Sequence, residues 1–190
     1  MKPKNSAADG VYIAWLRAIN VGGNRMVKMD DLKKIFAKLG CLDVRTLINS
    51  GNVVFRHAPK SEAALRTLIE TTLEKALGFD VTTVLRTKAE LEALVKLDPF
   101  KDVTMDADTR IYVTFLADEP SAAAWKDLME LAVDGAQEFT KKGRELFTVY
   151  RVKIEAKQPF SNTQVEKVLG TRATTRGWPT VLKVLALAQK

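Results

Sequence analysis

Two arginines and a threonine stand just before a proline that suits the first turn of a helix near the C-terminal end. Residues 174–177 read Thr-Thr-Arg-Gly and precede Pro179, and Arg172 lies slightly upstream. Backbone N–H groups at a helix start favour anions, and an arginine fork suits phosphate or carboxylate bidentately. We therefore predict a turn here whose Arg172, Thr175 and Arg176 bind an anion. In the alternative, Arg176 caps carbonyl groups or pairs with a carboxylate.

A loop with two adjacent glycines is the second candidate, between the first predicted strand and the first predicted helix. It carries Asn20, Gly22 and Gly23, and Arg17 lies at the end of the strand before it. Glycines allow close approach of a backbone to a phosphate, and basic side chains add attraction. The spacing matches neither of the common glycine-rich nucleotide motifs, so a plain wide turn is the alternative.

A third candidate is a predicted hairpin turn over residues 49–52, Asn-Ser-Gly-Asn. Glycine and asparagine are typical of tight turns, so a structural turn stands beside a ligand role for Ser50 and Asn52. The predicted ligand-binding residues are Arg17, Asn20, Gly22, Gly23, Ser50, Asn52, Arg172, Thr175 and Arg176.

Catalytic and metal chemistry have little support in the composition. The chain has one cysteine, Cys41, and one histidine, His57. An intramolecular disulfide and the usual Cys/His zinc sites are therefore excluded, and a reducing compartment is indicated. We predict no metal and no cofactor, and the sequence identifies no catalytic residue.

Basic side chains are concentrated in the last quarter of the sequence. Residues 141–190 carry 11 Lys+Arg against 3 Asp+Glu, whereas residues 1–140 carry 19 against 20. A patch of one sign favours anionic partners, and a solvated face kept for solubility is the alternative. The predicted partner is a phosphorylated small molecule or a nucleic-acid backbone. No apolar run is long enough to span a bilayer, so we expect a cytoplasmic protein without a membrane partner.

The elements that position these candidates follow from hydrophobic periodicity and capping residues. Strand and helix patterns occur in the order β-α-β-β-α-β, then an extra helix, and the order recurs after a polar segment. The fold class is α+β, with two ferredoxin-like (βαββαβ-type) halves in one chain. The predicted ranges are a disordered tail at 1–10, the first half plus an extra helix at 11–100, a linker at 101–109, and the second half with a basic C-terminal end at 110–190.

Three stretches resemble the domain-of-unknown-function family numbered 1697, a family of bacterial proteins. They are residues 12–24, residues 45–55 and residues 171–181, and the resemblance extends over residues 11–188. It implies a two-part α+β fold of ferredoxin-like halves, without an established activity. The chain departs from the family pattern where Ala18 and Gly177 replace an expected glycine and asparagine, and where Pro179 replaces a polar residue.

The leading functional hypothesis is a binding module for an anionic ligand. One alternative is an enzyme that acts on a small anionic substrate in a cleft between the halves. Another is a protein–protein or homodimerisation module, for which the apolar run at residues 180–189 would supply a surface.

Overall fold

The chain repeats one order of elements, β-α-β-β-α-β-α, in a computed structural model that describes residues 10–21, 25–131, 137–151 and 161–190. The first repeat consists of β1 (Gly10–Leu16), α1 (Met29–Lys38), β2 (Leu42–Leu47), β3 (Asn52–His57), α2 (Glu62–Leu77), β4 (Thr83–Thr87) and α3 (Lys88–Leu97). The second repeat consists of β5 (Thr109–Leu116), α4 (Ala122–Glu130), β6 (Gln137–Lys142), β7 (Glu145–Arg151), α5 (Asn162–Leu169), β8 (Ala173–Gly177) and α6 (Trp178–Ala188). The predicted α+β class is confirmed.

Each repeat forms its own four-stranded antiparallel sheet. The strand orders are β2-β3-β1-β4 and β6-β7-β5-β8. In both sheets the first strand of the repeat lies between the third and the fourth, which is the arrangement of a ferredoxin-like unit. The two halves predicted from the sequence therefore have the same topology.

Alternate side chains of the first central strand face the helices of the first half. Ala14 and Leu16 on β1 are buried with Leu32 and Phe36 on α1 and with Leu65 on α2. The period of two along a strand and of nearly four along a helix brings these apolar positions onto facing surfaces. One continuous apolar core results on this face of the sheet.

Local capping signals in the sequence set several helix ends as predicted. Ser61 and Ser161 are the N-cap residues of α2 and α5, and Ser161 forms a full capping box with Gln164. Ahead of α3, the Thr87 N–H donates to the Glu90 carboxylate at 2.7 Å, and the Glu90 N–H donates to the Thr87 hydroxyl at 3.2 Å. These side chains use N–H groups that a helix start leaves without partners.

The predicted turn at residues 174–177 is wrong, because these residues belong to strand β8. They pair antiparallel with β5, with Thr175 opposite Thr114 and Arg176 opposite Val113. Helix α6 follows directly, with Pro179 in its first turn, where the missing N–H removes no helical bond. Residues 174–177 are therefore extended and paired with β5, and the helix start lies after them, at Trp178.

The chain divides into two compact units. The first contains residues 1–93 and 183–190, and the second contains residues 94–182. The end of α6 is held within the first unit, where Arg45 Nη1 on β2 donates to the Leu187 carbonyl at 3.1 Å. The domain ranges expected from the sequence differ from these units at residues 94–109 and 183–190. Within the described ranges, no helix is long and apolar enough to cross a membrane.

Candidate functional site

The Asn20 side chain bonds to the backbone of Val27 and Asn49. It belongs to the glycine loop that the sequence proposes as a phosphate-binding loop. Its amide nitrogen donates to the carbonyls of Val27 at 2.9 Å and Asn49 at 2.8 Å, and its amide oxygen accepts from the Val27 N–H. These bonds occupy both N–H groups of the side chain. Gly22 and Gly23 lie outside the described residues.

Asn52 and Ser50 stabilise the hairpin between β2 and β3. Asn52 is completely buried, and its amide nitrogen donates to the Leu47 carbonyl and to the Ser50 hydroxyl, both at 3.0 Å. Arg17 follows β1, and its backbone N–H donates to the Thr82 carbonyl at 2.9 Å. These contacts of Asn52, Ser50 and Arg17 stabilise the fold, and the ligand role of the three residues stays a prediction.

Arg176 and Thr175 project to opposite faces of their sheet, since they are neighbours on strand β8. The Arg176 guanidinium donates to the Thr174 hydroxyl and to the Thr175 carbonyl, both at 2.8 Å. The residue as a whole is half-buried, yet its guanidinium is desolvated, and this burial lowers its pKa to about 10. Arg176 therefore remains charged at neutral pH, and these two bonds are to its own strand.

The first half has an arginine at the same place. Arg86 on β4 lies opposite Ile13, as Arg176 lies opposite Val113, and its guanidinium donates to the Leu85 carbonyl at 2.6 Å. The two arginines thus share a position in the sheet and a carbonyl contact. This recurrence favours the structural alternative for Arg176.

The basic tract at the end of the sequence does not form a basic unit. Residues 94–182 fold as one compact unit, in which 13 Lys+Arg are matched by 13 Asp+Glu. The rest of the chain carries 17 Lys+Arg against 10 Asp+Glu. The excess of positive charge therefore belongs to the first unit, because the acidic side chains of residues 94–140 fold together with the basic tract.

The second unit contains a pocket of about 240 Å³ between the helix-facing side of its sheet and the start of α5. Within residues 10–21, 25–131, 137–151 and 161–190, no Asp, Glu, Lys, Arg or His side chain lines it. The lining residues are Tyr112, Thr114, Phe139, Leu146, Thr148, Ser161, Asn162, Val165 and Thr175. Of the residues that the sequence proposed for ligand binding, this pocket contains Thr175.

Sheet register gives four of the pocket residues on strands a counterpart in the first half. On the central strands, Tyr112 and Thr114 occupy the places of Tyr12 and Ala14. Their neighbours across the sheet correspond too, with Thr148 in the place of Phe55 and Thr175 in that of Leu85. Threonine thus stands at three positions where the first half has alanine, phenylalanine and leucine.

Those apolar side chains fill the core of the first half. Phe55 is fully buried, stacks on Tyr12 with ring centroids 5.7 Å apart, and meets Phe36 edge-on at 5.2 Å. Ala14 and Leu85 belong to the same cluster. Since threonine is smaller than phenylalanine or leucine, the exchange leaves space and lines it with hydroxyl groups.

A chain of hydrogen bonds fixes one side of the pocket. The Thr175 hydroxyl donates to the Asn162 amide oxygen at 2.7 Å, and it lies 2.7 Å from the Thr114 hydroxyl. Because the single proton of Thr175 is used on Asn162, Thr114 is the donor in the second bond. The amide group of Asn162 therefore keeps its oxygen toward Thr175 and has its N–H groups for another partner.

Two further hydroxyl groups in the pocket have no hydrogen-bond partner within the described part of the chain. They belong to Tyr112 and Thr148, and Thr148 is only 7% exposed. Each of these hydroxyl groups can donate one hydrogen bond and accept others. The pocket thus offers donors and acceptors beside apolar surface from Leu146 and Val165.

The lining of this pocket suits binding better than proton transfer. Its described lining has no carboxylate, imidazole or amine that could act as general acid or base near neutral pH. Elsewhere, burial raises the pKa of the Cys41 thiol to about 12, which keeps it protonated and unreactive. The described ranges contain no group of three or more His, Cys, Asp or Glu side chains that could hold a metal ion.

Comparison with known proteins supports the fold and names the family. A solved structure of the conserved bacterial protein SP0830 from Streptococcus pneumoniae is similar over 95% of this chain and 99% of its own, with 22% identity and a TM-score of 0.72. A protein of unknown function from Galdieria sulphuraria matches over 95% of this chain and 89% of its own, with 13% identity and a TM-score of 0.26. No curated protein matches the chain. The family model described as protein of unknown function (DUF1697) matches residues 10–147, and the chain belongs to this family.

Proposed function

We propose that the protein is a binding module for a small uncharged molecule, which occupies the pocket of the second unit. The observation that carries this proposal is the exchange of core side chains for threonine. At the places of Ala14, Phe55 and Leu85, the second half has Thr114, Thr148 and Thr175. The first half fills these positions with apolar side chains. Hydroxyl groups and a cavity at the same positions therefore bring no gain in packing.

The size of the pocket fits a ligand of one or two rings. A cavity of about 150 Å³ in another protein holds one benzene molecule. The pocket here has about 240 Å³. It therefore has room for a somewhat larger group, of one or two rings.

The lining favours a neutral ligand with hydrogen-bonding groups. A buried charge needs a partner of opposite charge, since an unpaired one is strongly disfavoured. Among the residues that the structure describes, no basic or acidic side chain lines the pocket. The hydroxyl groups of Tyr112 and Thr148 and the amide of Asn162 suit polar but uncharged groups.

The anionic ligand predicted from the sequence stays a second hypothesis with less support. Its strongest premise was a turn with free N–H groups at residues 174–177, and these residues form a strand. Its other premise was a basic tract, and the unit that contains most of this tract has equal numbers of acidic and basic side chains. Arg172 and Arg176 are its remaining candidates.

A thermal-shift screen separates the two hypotheses. One arm uses a fragment library of uncharged one- and two-ring compounds, and the other uses inorganic phosphate and nucleoside monophosphates. Saturation at about 100 times Kd stabilises a folded protein by ~2.7 kcal/mol, which is readily measured. Thr148→Phe places a ring in the pocket and should abolish the shifts of uncharged fragments. Arg172→Ala combined with Arg176→Lys should leave those shifts unchanged.

The opposite pattern would overturn the proposal. Shifts produced by the phosphate compounds alone, lost in the arginine variant and kept in Thr148→Phe, would support an anion-binding module instead. Shifts by uncharged fragments that Thr148→Phe does not reduce would place the binding site outside this pocket.

A further inference from the structure

In the first half, the place that corresponds to the pocket is filled by an aromatic ring of the chain itself. Tyr12 and Phe55 lie directly opposite each other on β1 and β3, and their rings are stacked with an interplanar angle of 23°. Tyr112 and Thr148 are the same pair on β5 and β7. The second half thus has the tyrosine, with a threonine where the first half has the ring that stacks on it.

The surroundings of Tyr112 leave room for a ring. Its other cross-strand neighbour is Gly177, which has no side chain. Within the described part of the chain, Tyr112 has neither a ring contact nor a hydrogen bond. An aromatic face beside a cavity offers a stacking surface, and offset stacking of aromatic rings contributes beyond the area that it buries.

Polar groups around the cavity select the kind of ring. The amide nitrogen of Asn162 is a donor, because its oxygen is engaged by Thr175. The Thr148 hydroxyl can donate or accept, and Thr148 lies directly opposite Tyr112 on the next strand. A planar ligand with acceptors and donors on its edge meets these groups, whereas a hydrocarbon ring would leave them unpaired.

We propose that the ligand carries an uncharged, planar nitrogen heterocycle that stacks on Tyr112 in the place that Phe55 occupies in the first half. The edge of the ring accepts a hydrogen bond from Asn162 and shares another with Thr148. This inference rests on the proposed function, because it names the class of molecule for the same pocket.

Equilibrium titrations observed by NMR test this inference with defined probes. Adenine, uracil and nicotinamide are the heterocycles, benzyl alcohol is a ring without ring nitrogen, and glucose is rich in hydroxyl groups but not planar. At least one heterocycle should bind the wild type more tightly than benzyl alcohol or glucose does. Tyr112→Leu should weaken its binding roughly tenfold or more, since a stacked base contributes that much in other proteins.

Matched variants separate stacking from general effects on folding. Tyr112→Phe keeps the ring and should change the affinity by no more than a few-fold. Thr148→Val keeps the shape and loses the hydroxyl, so roughly two- to tenfold weaker binding is expected. Tyr12→Leu makes the same change as Tyr112→Leu in the first half and should leave the affinity unchanged.

The outcomes distinguish this inference from the proposed function. If a heterocycle binds and Thr148→Phe blocks it but Tyr112→Leu does not, the pocket is the site and the stacking is refuted. If glucose binds best and Thr148→Phe blocks it, the ring class is refuted and the pocket again stands. If none of the three heterocycles binds, the inference is overturned, while the fragment screen still decides the proposed function.

Discussion

The two halves of this protein share strand order and register, and they differ in what lies between sheet and helices. In the first half, Phe55 and Leu85 complete an apolar core. In the second half, Thr148 and Thr175 occupy the same places beside a pocket of about 240 Å³. The repeated topology therefore does not require an apolar core at these positions. We infer that close packing at these positions stabilises the first half, and that in the second half a pocket for a ligand takes its place.

The largest effect is expected from making the first half resemble the second at one position. Phe55→Thr removes a fully buried ring that contacts both Tyr12 and Phe36. The free energy of unfolding should fall by about 3–5 kcal/mol, as for other buried phenylalanines that are truncated. Urea denaturation followed by circular dichroism measures the change. A loss below about 1 kcal/mol would show that this core is not closely packed.

The hairpin glycines of the two halves provide the next comparison. Gly51 and Gly143 both have positive φ, at 74° and 54°. A Cβ at Gly51 would lie 2.8 Å from the Leu16 Cβ, whereas at Gly143 the nearest atom would be 3.9 Å away. Gly51→Ala should therefore cost about 3 kcal/mol and Gly143→Ala about 1 kcal/mol, since only the first adds overlap to backbone strain. Equal losses in urea denaturation would contradict this contrast.

The loss of stability at high pH tests how well the Cys41 thiol is shielded from water in the core of the first half. Burial raises the pKa of its thiol to about 12 in the folded protein, above an unfolded value of about 8.5. The stabilisation from the neutral thiol is complete below pH ~8.5 and is lost as pH rises toward 12, because only the unfolded state ionises in that window. Relative to Cys41→Ala, the wild type should lose about 2 kcal/mol between pH 8 and pH 10. Parallel stability curves for the two proteins would indicate an accessible thiol.

The smallest effect is expected from making the second half resemble the first. Thr148→Phe should raise the free energy of unfolding by about 1–2 kcal/mol, because the added ring buries apolar surface in existing space. Thermal unfolding compared with the wild type and with Thr148→Val measures it. A clear destabilisation would show that the pocket cannot accommodate a ring of this size.

Local signals in the sequence predict most of the fold. Ser61, Ser161 with Gln164, and Thr87 with Glu90 each act within one helical turn, so their capping role is readable from spacing alone. The turn predicted at residues 174–177 is wrong: glycine is typical of turns, but the two adjacent threonines favour a strand. Only pairing with β5, distant in sequence, makes them a strand.

The pocket could not be predicted from local spacing. Its residues come from β5, β6, β7, β8 and the start of α5, and none of these segments has a motif of its own. The available signal was the repeated element order. Aligning the two halves strand by strand would have placed Thr148 against Phe55 and Thr175 against Leu85. That comparison needs the sheet register, which element order alone does not fix.

An NMR titration tests the central claim most directly. The ligand is an uncharged fragment that raises the melting temperature, and the chemical shifts of assigned backbone amides are followed. The account predicts chemical-shift changes that cluster at Tyr112, Thr148 and Asn162. It predicts none at Tyr12 and Phe55, which correspond to Tyr112 and Thr148 in the first half. Perturbations confined to the first half, or spread without reference to the pocket, would contradict it.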